Sequence, residues 1–110
     1  MKEDIISSQF KLPFKLKVDK SISHLQDDIY YYSKSIVDNL CCRLIEDNHL
    51  NIENLNERFN YHIDQLGFKH HTFSDENNLS FIYNKYVWVI IPKLPIIRSL
   101  TIKKLLKNHE

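Results

Sequence analysis

Hydrophobic and polar residues alternate over residues 9–18. Phe10, Leu12, Phe14, Leu16 and Val18 fall on one side, and Lys11, Pro13, Lys15 and Lys17 on the other. A period of two predicts a half-buried strand. Pro13 offers no N–H to a neighbour, and outward lysines deter unwanted pairing, so the strand belongs at a sheet edge. The pattern then changes to steps of three and four. Ile22, Leu25, Ile29, Tyr32, Ile36, Val37, Leu40 and Leu44 share one face of a long helix, capped by Ser21 or Ser23 and ending near Asp47. Ile52, Leu55, Phe59, Ile63 and Leu66 predict a second helix over 51–66, with Asn51 as its cap. Gly67 stands where a left-handed residue ends such a helix, with Phe68 folding back on Ile63 in a Schellman motif.

Beyond Gly67 the chain reads as β structure. Residues 68–73, 79–83 and 86–91 are strand candidates, Asp75-Glu76-Asn77-Asn78 is a turn cluster, and Asn84-Lys85 is a hairpin loop. Val87-Trp88-Val89-Ile90-Ile91 is apolar on both faces and reads as a central strand. Pro95 opens a last helix running to about Leu106. The order is β-α-α-β-β-β-α. It predicts one α+β domain over residues 1–110, with a helical pair packed on one face of a four-stranded, mostly antiparallel sheet. A winged-helix arrangement would split residues 51–66 into shorter helices, against their unbroken periodicity.

Composition sharpens this picture by exclusion. The 110 residues contain one Gly and no Ala, but 14 Ile, 12 Lys and 10 Asn. With its one Gly assigned to a helix end, the chain has none for a phosphate-cradling loop. The excess of Ile, Lys, Asn, Tyr and Phe is what AT-rich codons supply, which points to a low-GC bacterium, a virus or a mobile element. Cys41 and Cys42 are neighbours whose side chains diverge on a helix, so no disulfide framework exists and a cytoplasmic location is expected. Met1-Lys2-Glu3-Asp4 does not begin a secretory signal. The apolar run 86–97 is broken by Pro92, Lys93 and Pro95 and falls short of the ~20 residues that span a bilayer. No membrane association is expected.

The net charge is +1, but it is segregated: +2 over residues 1–20, −5 over 21–66 and +4 over 67–110. With helices in the middle and strands at the ends, the fold should carry an acidic layer against a basic one. Six histidines invite a metal reading. Their spacing contains no HxxxH or HExxH, and His70 and His71 on a strand would point to opposite faces. Neither a metal nor a cofactor is expected. Cys42 has no sequence neighbour that would activate it as a nucleophile, so no catalytic residue is assigned.

Two surfaces remain. Tyr31, Asp38, Cys42 and Ile45 lie on the long helix away from its core stripe, and a second, unburied face is what meets a partner. Asp27, Asp38, Glu46, Asp47, Glu53 and Glu57 would steer it to a basic protein. Alternatively, Lys15, Lys17, Lys103 and Lys104 with His70 would form a nucleic-acid surface, with Tyr83, Tyr86 and Trp88 as stacking groups. The element order resembles that of the small ribosome-dependent messenger-cleaving toxins of the RelE type. That resemblance is topological and covers no motif; it implies a ribonuclease, whereas those toxins are strongly basic and this chain has only Arg43, Arg58 and Arg98. The first expectation is therefore a small non-enzymatic protein that occludes another protein or a second copy of itself, like an immunity protein, an inhibitor of a host or phage system, or a secretion chaperone. The alternative is an RNA-binding protein or a RelE-like ribonuclease.

Overall fold

A computed structural model of the chain describes residues 11–68 and 72–108. Strand β1 (Lys15–Val18) is followed by a 3₁₀ helix (Lys20–Leu25) and the long helix α1 (Gln26–Glu46). Then come α2 (Leu55–Gln65), β2 (Thr72–Ser74), β3 (Asn78–Asn84), β4 (Val87–Pro92) and α3 (Leu94–Asn108). The sheet order is β1-β4-β3-β2, and every pairing is antiparallel. This is the predicted β-α-α-β-β-β-α arrangement, with β1 at an edge.

Alternation sorts the sheet into two faces. Val87, Val89 and Ile91 on β4 and Leu79 and Phe81 on β3 are buried. All but Val87 join Ile36, Val37, Leu40, Cys41 and Leu44 of α1 and Leu55, Phe59 and Ile63 of α2 in one core cluster. Phe59 and Phe81, 6.4 Å apart between ring centroids, mark the contact between the helical pair and the sheet. Leu12 and Ile96 belong to the same cluster.

Only four residues of the predicted ten-residue strand pair as β1. Phe10 lies outside the described residues. The register Lys15↔Ile90, continued outward, would set Pro13 against Pro92. Neither residue has an N–H, so the ladder stops there. Leu12 is nevertheless buried.

The long helix also begins differently. Asp19, not a serine, caps the first turn by accepting from the Ser21 N–H at 2.9 Å. That turn is 3₁₀, and Ile22 departs from helical geometry with φ −120° and ψ 16°. Tighter winding shifts the phase of what precedes Gln26. Leu25 is therefore exposed. Along α1 the buried set is Ser33, Ile36, Val37, Leu40, Cys41 and Leu44, and Tyr32, expected in the core stripe, is 57% exposed.

The second helix starts at Leu55 rather than at residue 51. Asn51 and Asn54 cap each other: Asn54 N–H donates to Asn51 Oδ1 at 2.8 Å and Asn51 N–H to Asn54 Oδ1 at 2.7 Å. Asparagine side chains compete with helix for backbone groups in this way, and Ile52 is left exposed. The helix ends as predicted. Gly67 has φ 97°. Its N–H donates to the Asp64 carbonyl at 2.9 Å, and the Phe68 N–H reaches the Ile63 carbonyl at 3.0 Å, which completes a Schellman motif.

The Asp75 carboxylate accepts from the N–H groups of Asn77 and Asn78 and forms the β2–β3 turn. Residues 69–71 of the predicted 68–73 strand lie outside the described residues, and Phe68 precedes the strand. In the β3–β4 hairpin a register shift between Ile82 and Asn84 leaves Tyr83 as an extra residue. Helix α3 buries Ile96 near its start, but every side chain from Thr101 to Leu106 is exposed. Among the described residues no helix is long and apolar enough to cross a membrane.

Candidate functional site

Helix α1 carries the first candidate surface. Tyr31, Asp38, Cys42 and Ile45 are separated by seven, four and three residues and share one side of it. Tyr31 is 69% exposed. Asp38 is half-exposed and holds Lys34 at 2.9 Å, one helical turn away. Cys42 is exposed. Ile45 is the departure: it is half-buried and packs against the core, so the face narrows to Tyr31, Asp38 and Cys42.

Tyr31 does not stand alone. Tyr30 and Tyr32 beside it are exposed too. Tyr30 stacks on Phe14 at 5.6 Å and meets Tyr31 edge-on at 5.5 Å. Tyr32 leans on Tyr83 at 5.1 Å. The Tyr83 hydroxyl is bound to the buried Ser33 hydroxyl at 2.9 Å, and burial pushes its phenol pKa up. Asp27 and Asp28, exposed in the first turn of α1, place negative charge beside this aromatic ridge.

The second candidate lies where α1 meets α2. Asp47, counted above among the steering acids, is in fact buried. It follows the last turn of α1, and its Oδ1 accepts from the His49 N–H at 2.8 Å. Its Oδ2 accepts from Arg58 Nε and from His62 Nε2, each at 2.7 Å. Burial alone would raise this carboxyl's pKa, but these donors and the Arg58 charge overcome it and hold the value down to about 2. Arg58 also lies over the Tyr61 ring, 4.5 Å from its centroid. Together with Arg43, Glu46, Asn48, His49 and Tyr61 the three line a shallow depression of about 340 Å³.

An aspartate that orients a histidine suits proton transfer when the second ring nitrogen reaches a substrate. Here Nδ1 of His62 is buried and has no hydrogen-bond partner. Through its two Oδ2 bonds Asp47 ties the end of α1 to α2. Nothing in the pattern reading singled this cluster out. A signal was present, because His62 sits three residues after Phe59 on the buried stripe of α2. Among the described residues no group of His, Cys, Asp or Glu side chains could hold a metal ion.

The third surface is the face of the sheet turned away from the helices. Lys15 and Lys17 lie on it, exposed at the β1 edge. Register places Lys17, Trp88 and Ile82 in one row and Lys15, Ile90, Ser80 and Phe73 in the next. Trp88 and Phe73 approach to 4.9 Å between centroids at an interplanar angle of 32°. Of the three aromatics expected here, only Trp88 belongs to this face. Tyr83 turns to the helices, and Tyr86 sits in the hairpin under Lys85. Phe73 was not anticipated. Lys103 and Lys104 lie on the exposed end of α3, a separate element, and His70 lies outside the described residues. The acids Asp27, Asp28, Glu46, Glu53, Glu57 and Asp64 are exposed on or beside the helical pair. The helical layer thus carries most of the acids, while the open sheet face carries Lys15 and Lys17 and the other described lysines of the C-terminal part lie in the hairpin, after β4 and on α3. Comparison with family models, with curated proteins and with solved structures finds no match for this chain.

Proposed function

We propose that the protein is a non-enzymatic binding protein that occludes a basic protein partner with the outer face of α1. The observation that supports this reading is Tyr31, 69% exposed on the outer face of α1 and flanked by the exposed Tyr30 and Tyr32, beside Asp27 and Asp28. Tyrosine buries a large ring at low entropic cost and keeps a polar tip, which makes it a frequent anchor at interfaces. The flanking carboxylates would speed encounter with a positively charged target. Immunity proteins, inhibitors of host or phage systems and secretion chaperones act by such occlusion.

The test is co-purification from the native host, comparing the wild-type chain with Tyr31→Asp. A discrete basic protein should be retained by the wild type and lost from the variant, with the two chains melting at the same temperature. Equal retention of that protein by both would overturn the assignment of the face.

A further inference from the structure

We propose that the open face of the sheet binds single-stranded RNA. Phe73 and Trp88 come from strands on either side of β3, yet their rings meet 4.9 Å apart between centroids, tilted by 32° to each other. The pair leans together over β3 as an aromatic ridge on this face, with Phe73 51% exposed. Every unpaired base has a π face, so such a ridge takes bases with little regard to sequence. Bases within a duplex are already stacked and cannot use it.

Charge selects the same ligand. Lys15 and Lys17 stand in the two rows that hold the aromatic rings. None of the strand residues on this face is Asp or Glu, whereas the helical layer opposite is acidic. A polyanion would be drawn to one side of the molecule and repelled by the other, which orients it over the two rings. Ser80 lies directly opposite Phe73 across the β2–β3 pair. A hydroxyl beside a stacking ring is placed to meet the ribose 2′-OH, the group that distinguishes RNA from DNA.

Trp88 is the only tryptophan in the chain, so its emission reports on this face alone. The full chain is titrated at low salt with an oligouridylate of about ten nucleotides, within the usual size of a single-strand site. Saturable quenching of Trp88 is expected. Two phosphate contacts give a slope of log affinity against log salt of about −1.4. Lys15→Gln with Lys17→Gln should weaken binding about tenfold and flatten that slope. Phe73→Ala, at an exposed edge position, should also weaken it about tenfold without lowering the melting temperature. Oligodeoxyuridylate should bind several-fold more weakly, and duplex RNA should not quench. Tyr31→Asp should leave the titration unchanged, which separates this face from the one on α1. Absence of quenching at low salt would overturn the proposal, as would undiminished binding by the double lysine variant. Equal affinity for the deoxy oligomer would overturn the assignment to RNA. Trp88 emission that depends on protein concentration without RNA would make the face a self-association surface instead.

Discussion

Asp47 and His62 lie 15 residues apart in sequence, yet Oδ2 of one is 2.7 Å from Nε2 of the other, both buried. The same oxygen receives Arg58 Nε at 2.7 Å. A single carboxylate thus fastens the end of α1 to two turns of α2. Asp47→Ala leaves a cation and an imidazole without their acceptor. Breaking a buried charged network from one side costs about 3–5 kcal/mol. Urea denaturation should show the unfolding free energy falling by that amount, while Lys34→Ala, which removes the exposed Lys34–Asp38 pair, should leave the midpoint almost unchanged.

The same carboxylate makes stability depend on pH. Its pKa is about 2 in the folded chain against 3.8 for an unperturbed aspartate. A group whose folded pKa is depressed contributes stability above its unfolded value and loses it as pH falls through the folded one. The contribution is about 2 kcal/mol, present in full above about pH 5 and lost between pH 4 and 2. Urea midpoints measured from pH 6 to pH 2 should fall more steeply for the wild type than for Asp47→Asn, which has no carboxyl to titrate there.

Among the described residues Gly67 alone has a positive φ, 97°, the region that favours glycine. A Cβ placed there meets no atom within 4 Å. The cost of Gly67→Ala is therefore conformational rather than steric, about 1 kcal/mol. Gly67→Asn should cost less, because asparagine tolerates the left-handed region better. A larger loss for alanine, accompanied by a changed denaturant slope, would mean that the Schellman turn itself had opened.

These elements differ in how far the sequence discloses them, and the reason is the range of the interactions. The edge position of β1 is legible because proline and lysine act on their own strand. The end of α2 is legible because Gly67 and Phe68 bond within one turn. The phase of α1 is not, because the 3₁₀ turn before Gln26 adds a change of winding that a constant 100° step cannot follow. Charge counting places Asp47 at the surface because its partners lie 11 and 15 residues away on another helix. Tyr31 is readable from a helical wheel. The Phe73–Trp88 pair requires the register of three strands, and alternation alone does not supply it.

Ser33 and Tyr83 pair a buried hydroxyl on α1 with the bulge residue of β3 at 2.9 Å. Ser33→Ala removes one partner and leaves the phenol with its 3.5 Å contact to the Ile29 carbonyl. A loss of about 1 kcal/mol is expected, and Tyr83→Phe should cost a similar amount. The double variant should cost less than the two single ones together, since both remove the same bond. Strict additivity would show that the hydroxyls act separately.

Cys41 and Cys42 provide a direct check of the phase of α1. Cys41 faces the core, where burial pushes its thiol pKa up to about 11, while Cys42 is exposed. Thiolate is the reacting form, and a pKa of about 11 leaves roughly one Cys41 in a thousand ionised at pH 8. A disulfide reagent at that pH should therefore titrate one thiol quickly in the folded chain. The second should react only in urea. Cys42→Ser should abolish the fast phase, and Cys41→Ser should retain it, with lower stability because a hydroxyl replaces a buried apolar group. Two fast thiols in the wild-type chain would mean that α1 is rotated from the face that also carries Tyr31 and Asp38 outward.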